Sequence, residues 1–341
     1  MPAQSKRTLY IHMGLHKTAT SYLQSFMIHN RAVFLERGVG MPDFGTRTDG
    51  AHHELVAVLK GEGPDAFRAR IDKAGGDKVL VSTEVLGRFM LDPEFCAMMV
   101  KGLSPYYDLR IVIALRRQDF LKESVFAQVV KRDYTGPIEH ETHYDYDHCR
   151  RVRVLENAFG RENVLCFLYR DDGHNPVKDF FLDTLGLSAQ GFQEVGRSNV
   201  SLHRRKVLFL SHIEKPSRVV AARITAAVQA TEAIADDKIK CLMSPKRRAA
   251  FLADYITGNE ELCQKYDLDA GYFCDPDPVE DGWTPPAPIT QEETFAALQT
   301  LLVEDHERDL KREALRSARQ AKKIDAKKPA EGRAKTQAAG S

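Results

Sequence analysis

No two cysteines of this chain stand at Cys-x-x-Cys spacing; its six, at 96, 149, 166, 241, 263 and 274, are scattered. That argues against a structural zinc site and fits free thiols in a reducing compartment. A charge imbalance is also missing. Forty-nine Lys and Arg face 48 Asp and Glu, and a net charge of +1 gives no whole-chain attraction to nucleic acid or an anionic membrane. No apolar run approaches the ~18 residues of a membrane span, and residues 1–7 lack the apolar segment of a signal peptide. These absences predict a cytoplasmic protein. Hydrophobic residues make up 43% of the 341, enough to core one large domain or one domain with appendages.

A nucleoside-triphosphate loop is absent too. That motif needs four residues between its glycines, then Lys and a hydroxyl residue that holds magnesium. Here only Leu15 and His16 separate Gly14 from Lys17, and Ala19 stands where a second glycine would fall. What is present is an apolar run from Thr8 to Met13, a short polar turn, and a restart at helical spacing through Tyr22, Leu23, Phe26 and Met27. The pattern predicts strand, turn, helix. The first N–H groups of such a helix have no partner of their own, and with the helix dipole they make a site for an anion. Thr18, Thr20 and Ser21 add hydroxyls and Lys17 adds a positive charge. Ala19 raises the question of whether that position needs φ > 0, which Ala tolerates poorly.

Further strands are predicted at Asp77–Glu84, Leu109–Leu115 and Asn163–Tyr169, alternating with helical patterns. The alternation implies a parallel α/β sheet with crossovers of one hand, and ligands then sit at the carboxyl ends of the strands. Helix one is expected over Thr20–Glu36, closed by Gly38. Ser82, Thr83 and Glu84 end the second strong strand, and Glu84 can cap the next helix. His52 and His53 open a helix, as a cap or, for His52, near the loop. Arg116 and Arg117 follow the third strand, and Ser124 lies eight residues after Arg116. An Arg fork suits a phosphate dianion, and a Ser two turns on can reach the same oxygens. The chain alone does not rank the two arginines; Arg117 can pair with an acid such as Asp119.

Residues 16–21 resemble the 5′-phosphosulfate loop of sulfotransferases, commonly Pro/His-Lys-Ser/Thr-Gly-Thr-Thr/Ser after a strand, with Ala19 replacing the glycine. Arg116 and Ser124 resemble the same family's second signature, which holds the 3′-phosphate of the donor. The order of elements from Val152 to Leu187 is similar to that of bacterial members. The likeness covers about residues 7–205. It implies a P-loop NTPase-like sulfotransferase fold: a parallel sheet flanked by helices, with a helical C-terminal part.

It also implies transfer of a sulfuryl group from 3′-phosphoadenylyl sulfate (PAPS), the donor substrate, to an acceptor hydroxyl of a small molecule such as a carbohydrate or glycolipid, with no metal. Lys17 would face the group being moved and Glu84 would take the acceptor's proton, with His52 as a reserve base. The donor-binding set is Gly14, His16, Lys17, Thr18, Ala19, Thr20, Ser21, Tyr22, Arg116, Ser124 and, from a basic loop in the C-terminal third, Arg197; Arg204 is an alternative for that loop. Tyr22 stacks on adenine in this reading or belongs to the core. A P-loop kinase and a non-catalytic nucleotide-binding protein are the competing functions, and the loop length counts against the kinase.

Residues 133–150 are polar, aromatic and histidine-rich without a fixed ligand spacing, which suits a solvated connector, or next a loop over the acceptor, better than a metal site. Beyond Gly191 the chain reads as helices, with Pro-rich stretches at 275–278 and 285–288 and a last amphipathic helix over Gln291–Arg319. Its expected organisation is a core over 7–205, a helical part over 206–310 and a basic, disordered tail over 311–341, with no specific nucleic-acid partner.

Overall fold

Apolar residues fill both faces of each central strand, and this is why the strands read as continuous runs and pair in parallel. The computed structural model describes residues 6–43, 45, 50–89, 91–170, 176–196, 202–275 and 282–325. It divides into two compact units, the first made of 1–129, 136–201 and 239–285, the second of 130–135, 202–238 and 286–341.

Along the chain the first unit contains β1 (Arg7–His12), α1 (Thr20–His29), α2 (Arg31–Glu36), β2 (Val39–Gly40), α3 (His53–Gly61), α4 (Pro64–Ile71), β3 (Lys78–Ser82), α5 (Leu86–Phe89) and α6 (Pro93–Leu103). It continues with β4 (Tyr107–Arg116), α7 (Gln118–Val129), α8 (His148–Phe159), β5 (Val164–Tyr169) and α9 (Pro176–Thr184). The second unit supplies α10 (Arg204–Ser211) and α11 (Arg218–Ala230). The chain then returns to the first unit for α12 (Pro245–Ala253), α13 (Ile256–Tyr266) and α14 (Ala270–Phe273), and ends in the second with α15 (Gln291–Asp325).

The sheet is parallel, in the order β2-β3-β1-β4-β5. Register places Leu9 beside both Val79 and Leu109, and Ile113 beside Cys166. Successive residues point to opposite faces, and the core divides accordingly. Leu9, Ile11, Val81 and Ile111 pack with Phe67, Met99, Leu155 and Phe273 on one face. Tyr10, Leu80, Val112 and Phe167 pack with Phe26, Phe34 and Phe181 on the other. β1 lies between strands reached on opposite sides, so the loop after it opens at the switch point where ligands of open α/β sheets bind.

Four strands fall where the apolar runs predict them, and the structure is the expected α/β sheet flanked by helices with a helical C-terminal part. The differences have local causes. Helix one is broken at Asn30, whose buried side chain donates to the Phe26 carbonyl and to the Gln193 carbonyl and accepts from the Gln193 N–H. A further short edge strand, β2, forms where Gly40 packs against Gly75 so closely that a Cβ would meet its carbonyl oxygen at 1.8 Å. The basic stretch from Lys311 continues α15 to Asp325 rather than being disordered from its start.

In the second unit, α15 packs along α11, with Arg223 and Asp305 3.4 Å apart. Buried Arg205 donates to Glu293 at 2.8 Å and to the Pro288 carbonyl. No helix among the described residues is long and apolar enough to cross a membrane.

Candidate active site

Three residues of the loop between β1 and α1 have positive φ: Gly14 (+32°), Lys17 (+70°) and Ala19 (+56°). Residue 19 therefore does sit in the left-handed region, and an L side chain there is strained. At Gly14 a Cβ would meet Thr20 Oγ1 at 2.7 Å, so the loop can close onto the helix only with glycine. Positive φ within such a turn is the backbone feature of nests, in which successive N–H groups can face one anion. The helix it opens suits an anion as well: α1 has no acid in its first turn, and its cap residue Ala19 makes no side-chain hydrogen bond. Ser21 is exposed on that first turn.

The two threonines differ from their expected part. Thr18 is buried and its hydroxyl donates to the Leu15 carbonyl at 2.6 Å; Thr20 reaches the same oxygen at 3.4 Å. These hydroxyls brace the loop from within, and what they leave for an anion is their backbone N–H.

Neighbouring strands anchor the loop. The Met13 N–H bonds to the Val112 carbonyl of β4, and the Thr83 N–H to the His12 carbonyl of β1. Arg116, the last residue of β4, donates from Nη1 to the Lys17 carbonyl at 2.9 Å, and its guanidinium lies 5.3 Å from the Tyr169 ring centre. Lys17 and Arg116 are thereby brought together across 99 residues. Glu84, just past β3, stands 3.7 Å from His16 Nδ1. Ser124 lies half-buried in the second turn of α7.

Arg117 turns the other way. It forks onto Asp119 at 2.9 and 3.0 Å, and Arg248 grips the same carboxylate at 2.9 and 2.7 Å, all of it buried. Arg117 is therefore a structural partner of Asp119, and the spacing that picked Arg116 chose the residue beside the loop. Arg204 is likewise committed, to Asp237 at 2.7 Å within the second unit. Arg197 lies outside the described residues.

His52, the reserve base, is corrected by its burial. Its Nδ1 accepts the Ser82 N–H at 3.1 Å and its Nε2 donates to the Pro42 carbonyl at 3.3 Å. Its two nitrogens tie the end of β3 to the Pro42 backbone, and desolvation lowers its pKa to about 4. Tyr22 stacks near-parallel on Phe26 at 6.5 Å and donates to Glu194 at 3.0 Å.

Several neighbours of the loop lie outside the candidate site residues. His12, fully buried at the end of β1, shares a 2.9 Å hydrogen bond with Ser82 Oγ, and burial lowers its pKa to about 4. Tyr144 meets the His16 ring edge-on at 6.5 Å. Arg151 faces Tyr144 at 5.6 Å and donates to the Gly87 carbonyl at 2.8 Å. Gly87 abuts the loop, since a Cβ there would stand 3.5 Å from the Met13 carbonyl. His148 donates from Nε2 to the Arg116 carbonyl at 2.8 Å, and burial lowers its pKa to about 4 as well. The aromatic and histidine-rich character of 133–150 flags Tyr144 and His148, whereas Arg151 looks like any residue of an amphipathic helix.

A separate cavity of about 210 Å³, bordered by Gln118, His148, Tyr255 and Asn259, has none of the loop residues in its lining. Among the described residues no group of three or more His, Cys, Asp or Glu is placed to hold a metal ion.

The fold is that of an α/β protein with a parallel sheet, and the strand-loop-helix turn lies at the carboxyl end of its central strand. No protein-family model matches the chain, and no curated protein does. Among solved structures, a sulfotransferase from Alicyclobacillus acidocaldarius aligns over 80% of this chain and 100% of its own, at 16% identity and a TM-score of 0.43. So distant a likeness leaves the chemistry to be argued from the site's own geometry.

Proposed function

We propose that the chain is a sulfotransferase that moves a sulfuryl group from PAPS to an acceptor hydroxyl. The observation that carries this reading is the 2.9 Å bond from Arg116 to the Lys17 carbonyl. It ties the Arg116 guanidinium to the backbone of the loop that carries Lys17, which supports a reading in which these two cations grip the outer and inner phosphates of one nucleotide. The residues present fit such a donor: no acid occupies the first helical turn, and the positive-φ backbone supplies N–H groups for the 5′-phosphate.

In the reaction the acceptor oxygen bonds to sulfur while the bond from sulfur to the bridging oxygen breaks, leaving adenosine 3′,5′-bisphosphate. Lys17 would offset the negative charge that builds on that bridging oxygen. Glu84 would take the acceptor's proton, with His16 beside it at 3.7 Å. Arg116 would fork onto the 3′-phosphate, and Ser124 would add a hydroxyl to it. Tyr144, against His16, marks the side on which an acceptor would enter.

Labelled PAPS offered with a panel of hydroxyl acceptors tests the reading. The wild type should yield labelled acceptor, and Lys17→Ala should cut kcat on the order of 10²–10³-fold with its far-UV circular dichroism unchanged. Turnover of magnesium-ATP in place of PAPS, or near-normal transfer by the variant, would contradict it.

A further inference from the structure

Two thiols meet where the short helix α14 ends. Cys263 of α13 and Cys274, the residue that closes α14, hold their sulfurs 3.7 Å apart, and both are free. A disulfide needs about 2.0 Å between its sulfurs, so this pair has about 1.7 Å to close. The two also differ in access. Cys263 is buried, whereas Cys274 is partly exposed. A small oxidant from solution therefore meets Cys274 first, and Cys263 needs no access of its own to react with a sulfur already beside it.

We propose that Cys263 and Cys274 are a dithiol pair that a low-molecular-weight disulfide, such as oxidised glutathione, converts to an intramolecular disulfide locking α14 onto α13. In the first step Cys274 gives up its proton and bonds through Sγ to one sulfur of the oxidant. The oxidant's S–S bond breaks, and one glutathione leaves and takes that proton. Cys263 Sγ then bonds to Cys274 Sγ, the mixed disulfide breaks, and the second glutathione leaves with the proton of Cys263. Two protein thiols are oxidised by two electrons, and one glutathione disulfide is reduced to two glutathiones. Burial pushes the Cys263 thiol up to about 12 and raises that of Cys274 as well. Little thiolate is present at neutral pH, and the exchange proceeds over minutes to hours.

The lock fastens a turn that packs behind the candidate site. Phe273 is fully buried and stacks on His148 at 6.1 Å, and its carbonyl accepts from Asn259 at 2.9 Å. The Tyr272 carbonyl accepts from Arg117 at 3.2 Å. A tie from Cys274 back to α13 also closes a loop in the unfolded chain, which favours the native state.

The full chain, held in excess oxidised glutathione, then denatured, alkylated and digested without reduction, tests the pairing. Two of the six thiols should be lost, a peptide joining Cys263 to Cys274 should appear, and the melting temperature should rise until dithiothreitol reverses it. Cys263→Ser should instead retain one glutathione on Cys274, and Cys274→Ser should gain neither glutathione nor a cross-link. A wild type that keeps all its thiols, that holds glutathione on Cys274 without a cross-link, or that joins either cysteine to a different one would overturn the proposal. So would an oxidised form that melts no higher than the reduced one. None of these results depends on the reaction proposed above.

Discussion

Arg116 and Arg117 are adjacent in the chain, yet they belong to regions of opposite character. On the Arg117 side, Asp119 is held by two guanidinium groups, Gln118 and Asn259 exchange amide hydrogen bonds at 2.7 and 3.0 Å, and the ring of Phe120 lies under both arginines. The charges there face one another within the protein. The Arg116 side is built from curled backbone, half-exposed cations and the uncapped start of α1. The lesson is that residue type does not tell a cation's role. The fold supplies the counter-charge of Arg117 within the core, whereas in the proposed function Arg116 and Lys17 would face the phosphates of the donor.

Breaking the Asp119 clasp should have the largest effect on stability. Asp119→Ala leaves two buried guanidinium groups facing each other without their carboxylate, and removal of one partner from such a cluster costs about 3–5 kcal/mol. Urea denaturation followed by circular dichroism measures this. A loss under about 1 kcal/mol would mean that the clasp is no tighter than a surface ion pair.

Acid should act next, through the buried histidines that support the nest side. His12, His52 and His148 have native pKa values lowered by burial to about 4, against an ordinary 6.5. Between those values the unfolded chain binds protons that the native chain does not. The histidines' contribution is therefore complete above pH 6.5 and is lost as pH falls toward 4, each adding a slope of up to about 1.4 kcal/mol per pH unit. Urea midpoints between pH 7.5 and 4.5 should fall accordingly, and should fall less steeply in His12→Gln. A flat profile, or an identical slope in the variant, would remove the histidines from this part.

The smallest expected change is a gain. Ala19 is held at φ +56°, and glycine relieves that strain, so Ala19→Gly should raise stability by up to about 1 kcal/mol, read as a higher melting temperature. A loss of stability would show that the Ala methyl packs too well to lose.

How much of this was legible in the sequence depended on how local the cause was. The strands and the β1–α1 nest are written in continuous apolar runs and in one short polar turn. The break at Asn30 is not, since its partner Gln193 is 163 residues away. Nor is the burial of His52, which follows from the backbone of Ser82 and Pro42. The spacing from Ser124 pointed to Arg116, but the fate of Arg117 also needed Arg248, 129 residues beyond Asp119. The continuation of α15 past Lys311 is legible only in hindsight: Ala, Leu, Arg and Lys are good helix formers even where they bury nothing.

Calorimetric binding of adenosine 3′,5′-bisphosphate to the wild type, Lys17→Ala and Arg116→Ala tests most directly whether one cleft grips both phosphates. If it does, the wild type binds, and each substitution weakens binding at least about tenfold, the 1.4 kcal/mol expected for losing a charge-assisted contact. No binding by the wild type, or equal affinity in all three proteins, would contradict it.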